Sequence, residues 1–317
     1  MKKLFAFLLI AIAAVFLPCQ AEEKPLQLVF IPKSSDQVFW DLMREGVARA
    51  VREDGNAKLT WRGPAHNDDT DSQIRILQAY TQPGVDAILI TPTDRARLVK
   101  PIQAATALGI KVIVVDSALD GNYHVNMVAT DNVRGGRLAA RHMAELLNNQ
   151  GTVLVLRTVA GSASTDERAE GFKAYLKENA PKISVVADVH GGGSTGKARH
   201  AALDLLQKHS AVNGVFAVNE SSTDGMLRAL RDKGLAGKVQ FVGFDSTDLL
   251  IQGLEQQEIQ GLVIQNPQQM GYLGVKAALA AARNAPVKDK TIFTDTTLLT
   301  RSNVRSAEIK KLICVRC

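Results

Sequence analysis

Polar side chains directly follow the short apolar runs of this sequence, and each of them can donate or accept a hydrogen bond. Helix caps and turns also favour Asp, Asn, Ser and Thr, which is the alternative explanation for any single one. Lysine and glutamine are poor caps, so the set as a whole favours a polar ligand-binding cleft. Its members are Lys33, Thr91, Asp116, Ser117, Asn219, Asp245 and Gln265.

An aromatic pair, Phe39 and Trp40, lies in "PKSSDQVFW", just after the first apolar run. Adjacent residues on a helix point in different directions, so one of the two could be ordinary core. The functional interpretation is a flat apolar wall against which the C–H face of a sugar ring packs.

The segment "GGGSTGKA" (191–198) is one residue short of a phosphate-binding loop. Gly191, Gly196 and Lys197 match that pattern, but Ala198 lacks the hydroxyl that would hold a magnesium ion. The rest of the chain offers no convincing second carboxylate motif for a nucleotide-hydrolysing site. We therefore interpret the glycines as a tight turn beside the cleft, with Ser194 or Thr195 capping the next helix.

Other catalytic and metal-binding patterns do not stand out, so we predict a protein that is not an enzyme and uses no cofactor or metal. The six histidines lack metal-ligand spacing, and there is no G-x-S-x-G turn. Asp116 and Asp245 could form the acid and base of a glycosidase, which is the enzymatic alternative. Cys314 and Cys317 lack a second pair for a zinc site, and we interpret them as a tail able to close a local disulfide.

Apolar runs such as "LQLVFI" and "IKVIVVD" alternate with amphipathic stretches such as "VFWDLMREGVARAVRED". Continuous apolar strands between helices indicate parallel sheets covered on both faces. Because the pattern restarts at "GTVLVLR", we predict an α/β fold of two doubly wound, Rossmann-like lobes with a hinged cleft. Ligands of such sheets bind beyond the carboxyl ends of the strands, where the polar residues fall.

Each lobe is expected to be discontinuous, because the chain crosses between them at "VNMVATDN", "IQGLVIQNP" and "IFTDTTLLT". We predict an amino-terminal lobe of residues 22–130 plus 266–297. The carboxy-terminal lobe is then residues 131–265 plus 298–317.

Residues 1–21 have the order of a secretory signal peptide: two lysines, an apolar run over 4–17 and cleavage after Ala21. The run is shorter than the ~20 residues that cross a bilayer, and Pro18 before Cys19 argues against a lipoprotein anchor. Cleavage leaves about 296 of the 317 residues and lowers the net charge from +6 to +4. The mildly basic chain has no basic run interleaved with aromatics, so we expect a periplasmic protein that binds no nucleic acid.

Eight short motifs occur in a fixed order along the chain: "IPKSSDQVFW", "DAILITPTD", "GIKVIVVDS", "VATDNVRGG", "ERAEGF", "VFAVNE", "VQFVGFD" and "LVIQNPQQMG". In this order they resemble the periplasmic substrate-binding proteins of ABC importers, in the branch that contains the ribose-binding protein. That branch shares its two-lobed fold with LacI-type repressor cores. The resemblance covers nearly the whole mature chain.

The resemblance also implies which residues contact a sugar. It places the aromatic pair on Phe39 and Trp40, polar contacts on Lys33 and Gln37, and a charge-assisted donor on Arg168 of "ERAEGF". It also implies contacts at strand ends, and these are the same positions that the ends of the apolar runs indicate: Thr91, Asp116, Asn219, Asp245 and Gln265.

The sequence departs from the ribose-binding pattern at three places. Ser117 stands where an arginine is expected, Gly193 replaces a second aromatic wall, and Lys33 replaces a small residue. Ribose itself is therefore not the expected ligand.

Binders of the furanosyl signal autoinducer-2 share "IPK" followed by Phe-Trp, "WRGP" and the Asp166 position. They differ at Glu167, where a glutamine is expected, and at Asn219, where a proline is expected.

The sequence thus predicts a monomeric receptor that closes around a sugar or polyol and delivers it to a membrane permease. The alternative is a sugar or autoinducer-2 receptor that feeds a chemoreceptor or a sensor kinase. A LacI-type repressor is excluded by the signal peptide and by the absence of an amino-terminal DNA-binding helix pair.

Overall fold

A computed structural model describes residues 24–287 and 289–313. The predicted signal peptide and the pair Cys314 and Cys317 lie outside these residues. Within them, no helix has the combination of length and apolar character that a membrane crossing requires.

Strands and helices alternate along most of the chain. The strands are β1 (Leu26–Ile31), β2 (Ala57–Trp61), β3 (Ala87–Ile90), β4 (Lys111–Val115), β5 (Asn126–Thr130), β6 (Gln150–Arg157), β7 (Lys182–His190), β8 (Gly214–Ala217), β9 (Gln240–Phe244), β10 (Gly261–Ile264), β11 (Thr291–Thr294) and β12 (Thr297–Leu299). The helices are α1 (Val38–Asp54), α2 (Thr70–Tyr80), α3 (Val99–Ala107), α4 (Asn132–Leu146), α5 (Ala163–Asn179), α6 (Thr195–Lys208), α7 (Glu220–Asp232), α8 (Asp248–Glu255), α9 (Pro267–Ala282) and α10 (Ala307–Ile313).

The strands form two six-stranded sheets with the same internal order. The first sheet runs β11-β5-β4-β3-β1-β2, and the second runs β12-β10-β9-β8-β6-β7. Every strand pairing is parallel except the antiparallel pairing of β12 with β10. The predicted doubly wound α/β architecture with two Rossmann-like lobes is confirmed.

Both faces of each sheet are covered, which explains the continuous apolar runs. In β1, Leu28 and Phe30 pack into the layer of α1 and α9, while Val29 and Ile31 face the layer of α2 and α3. Neighbouring residues of a strand point to opposite faces, so all must be apolar when both faces are buried.

The chain passes between the sheets after β5, after β10 and between β11 and β12. Thr297 pairs with Ile264 of the second sheet, so the last passage lies between Thr294 and Thr297. Below, the first lobe means the first sheet with α1, α2, α3 and α9, and the second lobe means the second sheet with the remaining helices.

Candidate ligand-binding site

A small cavity lies between the lobes, at the carboxyl ends of the strands of both sheets. The predicted site residues that line it are Lys33, Gln37, Phe39, Trp40, Asp116, Arg168, Asn219, Asp245 and Gln265. Five further residues line it that were not predicted from the sequence: Asn67, Thr158, Ser162, Ser164 and Thr165.

Two buried aspartates occupy equivalent places in the two lobes. Asp116 follows β4 and Asp245 follows β9, the fourth strand of each sheet when counted from β2 and from β7. Both have left-handed backbones, with φ of 64° and 68°. Aspartate is one of the few non-glycine residues that tolerates this conformation, and such conformations cluster at functional sites. The conformation is therefore a second feature, besides burial, that makes both carboxylates candidate site residues.

A chain of hydrogen bonds holds the Asp245 carboxylate. Gln265 Nε2 donates to Asp245 Oδ1 (2.6 Å), and the Glu220 backbone N–H donates to Oδ2 (2.9 Å). Thr130 Oγ1 in turn donates to Gln265 Oε1 (2.8 Å), which fixes the amide orientation. Burial raises the pKa of Asp245, and Arg168 and Gln265 oppose this rise by favouring the charged form.

Arg168 is the buried cation that faces this carboxylate, with 2 % of its surface exposed. Its Nε donates to Asn132 Oδ1 (2.9 Å) and its Nη1 to the Val218 carbonyl (3.0 Å), while its guanidinium lies 4.1 Å from the centre of the Phe244 ring. Burial lowers the pKa of Arg168, and the charges of Asp245 and Asp116 counteract the shift. Two of its nitrogens are thus held by protein, while Nη2 makes no hydrogen bond within the described part of the chain.

Lys33 brings a second cation into the cavity from the first lobe. Its Nζ donates to Ser162 Oγ (2.9 Å) and Ser164 Oγ (3.0 Å) of the second lobe, and it lies 3.9 Å from Asp116 Oδ2. Burial lowers the pKa of Lys33 to about 8, although Asp116 acts in the opposite direction. Lys33, one of the residues that depart from the ribose-binding pattern, therefore contacts the second lobe and also lines the cavity.

Phe39 and Trp40 both line the cavity, so neither is only core. Their rings meet edge to face, with centroids 4.8 Å apart. Trp40 Nε1 donates to Ser34 Oγ (2.9 Å), which fixes the indole. The pair forms a fixed apolar wall on the first lobe, as the sugar-ring interpretation requires.

Two amide atoms at the cavity are buried and have no hydrogen-bond partner within the described residues: Gln37 Nε2, a donor, and Asn67 Oδ1, an acceptor. Buried polar groups in native proteins are almost always paired, so a bound group is expected to satisfy them. A hydroxyl group can do both, because it donates one hydrogen bond and accepts others.

Thr91 and Ser117 do not line the cavity. The Thr91 carbonyl accepts from Gln73 Nε2 (2.7 Å), so this residue braces the loops behind the site. Ser117 Oγ accepts from the Ser164 backbone N–H (3.2 Å) and joins the lobes. Asn219 lines the cavity and also caps α7, because its Oδ1 accepts from the Ser222 N–H (3.2 Å). For this residue the helix cap and the position at the cavity are both observed.

The "GGGSTGKA" segment lies at the rim of the cleft and holds a carboxylate of the opposite lobe. Asp68 Oδ2 accepts from Lys197 Nζ (2.7 Å) and from the Gly193 N–H (3.2 Å). Ser194 caps α6, as predicted. The loop thus binds an anion at the start of α6, but this anion is the Asp68 carboxylate of the protein itself.

Two of the lining residues that were not predicted, Thr158 and Asn67, have identifiable positions in the sequence. Thr158 directly follows β6, so the rule applied to the other strands would have found it. Asn67 follows β2, a strand that was not recognised. In the described part of the chain no cluster of three or more His, Cys, Asp or Glu side chains is placed to hold a metal ion.

The fold and the site define a class: a two-lobed periplasmic substrate-binding protein whose ligand cavity lies at the strand ends of both lobes. Residues 28–286 match the family model described as "Periplasmic binding protein domain", and the chain belongs to this family. The resemblance inferred from the sequence is thereby confirmed.

Several relatives and solved structures are similar over most of the chain. The ribose import binding protein RbsB of Bacillus subtilis is 30% identical over 240 residues, which cover 76% of each chain. The D-ribose/D-allose-binding protein of Pseudomonas aeruginosa is 27% identical over 88% of this chain and 90% of its own. A carbohydrate transporter solute-binding protein from Agrobacterium radiobacter, solved in complex with D-arabinose, is 30% identical with a TM-score of 0.88, covering 92% of this chain and 100% of its own. These are binding proteins of transport systems and not enzymes, so the glycosidase alternative is not supported.

Proposed function

We propose that this protein is the substrate-binding component of an ABC importer and that it binds a neutral monosaccharide, or a polyol of similar size, in the cavity between its lobes. One observation carries the proposal. Two buried cations, Lys33 and Arg168, face two buried carboxylates, Asp116 and Asp245, in one cavity with an aromatic wall. The charges balance, so a ligand with a net charge would leave one of them uncompensated in a buried site.

Each group has a role that suits hydroxyl recognition. The Asp116 and Asp245 carboxylates accept from ligand hydroxyls, while Arg168 Nη2 donates to them through charge-assisted hydrogen bonds. Gln37 Nε2 and Asn67 Oδ1, both of the first lobe, supply an unpaired donor and an unpaired acceptor for further ligand hydroxyls. Phe39 and Trp40 pack on the C–H face of the ring.

The relatives support a single sugar ring. Two of the similar proteins are named for ribose or allose, and a third was solved with D-arabinose, all of them monosaccharides.

The same proposal covers location and partners. Residues 1–21 direct export, and the mature protein acts as a monomer in the periplasm. Ligand binding shifts the population toward the closed form, which the permease distinguishes from the open form.

A thermal-shift screen of the mature protein tests the proposal. The ligands are D-ribose, D-allose, D-arabinose, D-fucose, xylitol, a disaccharide, autoinducer-2 and ATP. A ligand at a thousandfold excess over its dissociation constant stabilises the folded state by about 4 kcal/mol, so the melting temperature should rise clearly with at least one monosaccharide or polyol.

The shift should disappear in Asp245→Asn and persist in Asp248→Asn, an exposed aspartate at the start of α8. A shift produced only by ATP, or by none of the sugars and polyols, contradicts the proposal. A shift produced by autoinducer-2 alone supports the sensing alternative.

A further inference from the structure

Glu220 is a buried carboxylate beside the cavity that reaches the opposite lobe. It is the first residue of α7 and directly follows Asn219, which lines the cavity. Its Oε1 accepts from the Val38 N–H (3.1 Å) and its Oε2 from the Phe39 N–H (2.9 Å), both at the start of α1 in the first lobe. Only 6 % of its surface is exposed.

The start of α1 needs such a partner. The first backbone N–H groups of a helix have no carbonyl of their own helix to bind. Gln37 occupies the cap position of α1, but its side chain makes no capping hydrogen bond. Glu220 therefore supplies from the second lobe the cap that the first lobe lacks.

The start of α7 does not need Glu220. Asn219 caps that helix with its own side chain, in a reciprocal arrangement with Ser222. The Glu220 side chain is therefore not needed as a cap of α7 and can bind the start of α1 instead. Its backbone N–H donates to Asp245, so a change of the side chain leaves this support of the site carboxylate in place.

The contact can exist only while the lobes are together, because its donors and its acceptor belong to different lobes. It also fixes the end of α1 that carries Phe39, the residue of the aromatic wall nearest to Glu220. Opening the cleft must break both hydrogen bonds and expose the carboxylate before a ligand can leave.

We propose that Glu220 is a positioning residue that caps α1 across the cleft, holds Phe39 against the bound sugar and slows release of the ligand. The proposal rests on the proposed function, since it concerns the same cavity. Glu220 itself does not line the cavity and is not required to touch the ligand.

The test compares Glu220→Ala and Glu220→Gln with Asp248→Ala, which removes an exposed first-turn acid of α8 within one lobe. Stopped-flow chase experiments with the sugar found in the thermal screen give the association and dissociation rates. Glu220→Ala removes the acceptors of the Val38 and Phe39 N–H groups, and a net loss of about 1.4 kcal/mol for the pair corresponds to about tenfold faster dissociation. Association should change by less than about twofold, since most interface changes act on dissociation. Glu220→Gln keeps one acceptor oxygen and should fall between wild type and Ala, while Asp248→Ala should match wild type.

Amide hydrogen exchange supplies a readout that a general loss of stability would not produce. In the sugar-bound wild type, the amides of Val38 and Phe39 should be protected, and in Glu220→Ala these two should exchange faster than the rest of α1. Unchanged dissociation in Glu220→Ala, or unchanged protection of these amides, overturns the proposal even if the melting temperature falls. If the wild type binds no sugar or polyol, the proposed function itself fails. If it binds one and Glu220→Ala releases it at the wild-type rate, only the proposal for Glu220 fails.

Discussion

At the scale of single residues, the site is built from charged groups that the protein itself already holds in place. Asp245 receives hydrogen bonds from Gln265 and from a backbone N–H, and Arg168 is held by Asn132 and by a carbonyl. Groups fixed before binding lose little entropy when a ligand arrives, so they give both affinity and geometric selectivity.

Replacement of Gln265 by leucine tests this support. The change leaves one oxygen of the buried Asp245 carboxylate and the Thr130 hydroxyl without their present partners. We expect the free energy of unfolding to fall by about 1–3 kcal/mol in urea denaturation of the ligand-free protein, because unpaired buried polar groups are destabilising. The pKa of Asp245 should also rise, since Gln265 now favours its charged form.

The matched control is Gln269→Leu in α9. Gln269 is partly buried and accepts a hydrogen bond from the neighbouring Asn266 side chain. We expect this variant to lie within about 0.5 kcal/mol of wild type. Equal losses in the two variants would mean that Gln265 has no special role in holding Asp245.

At the scale of elements, the loop before α6 shows how a glycine permits two lobes to approach. A Cβ atom on Gly193 would lie 2.5 Å from the Asp68 backbone nitrogen and 2.9 Å from its Cβ, both in the other lobe. These distances are shorter than any real Cβ contact, so the present closed arrangement requires glycine at this position.

Gly193→Ala should therefore weaken ligand binding with little effect on the stability of the ligand-free protein. Overpacking of this kind amounts to about 1–3 kcal/mol, which corresponds to an affinity loss of roughly tenfold. Titration calorimetry with the sugar measures it. Gly196→Ala is the control, because its added Cβ would meet nothing within 4 Å and alanine is favoured in a helix. An affinity loss in Gly196→Ala as large as in Gly193→Ala would refute the role of this contact.

At the scale of the whole molecule, the lobes are joined at several separate places around the cavity. Lys33 meets Ser162 and Ser164, Arg95 donates its backbone N–H to the Gly161 carbonyl (2.9 Å), and Asp68 meets the "GGGSTGKA" loop. Under the proposed function, contacts that are each modest would allow a ligand of modest size to shift the balance between open and closed forms.

Closure and folding should depend on pH through Glu220. Burial raises its pKa from the ordinary value of 4.5 to about 8; the Phe39 and Val38 N–H groups oppose this rise, while the charges of Asp245 and Asp224 add to it. The folded protein thus holds more protons than the unfolded chain between about pH 4.5 and pH 8. The stabilising contribution is fully present below about pH 4.5 and is lost as the pH rises through 8. Urea denaturation across pH 5 to 8.5 should show this loss in wild type, and a smaller one in Glu220→Gln. Identical pH profiles of the two proteins would contradict the assignment.

The sequence by itself determined the fold class and most of the residues that line the cavity. Strands buried on both faces appear as unbroken apolar runs, so their ends could be located, and a parallel sheet brings those ends to one edge. Asp116, Asp245, Asn219 and Gln265 were found in this way, while Arg168 and Gln37 came from the family resemblance. The edge strand β2 was missed because half of it faces solvent, which leaves the alternating pattern "AKLTW" and no apolar run.

Only the tertiary structure decided which of the polar strand-end residues line the cavity and which side chains cross between the lobes. Thr91 and Ser117 obey the same local rule as Asp116, yet they support loops and lobe contacts outside the cavity lining. Nothing near Glu220 or Asp68 in the sequence indicates that their carboxylates bind backbone N–H groups of the opposite lobe. The reason is physical: burial pattern and helix or strand period are local properties of the chain. The approach of two lobes brings together residues more than a hundred positions apart, and no local pattern records it.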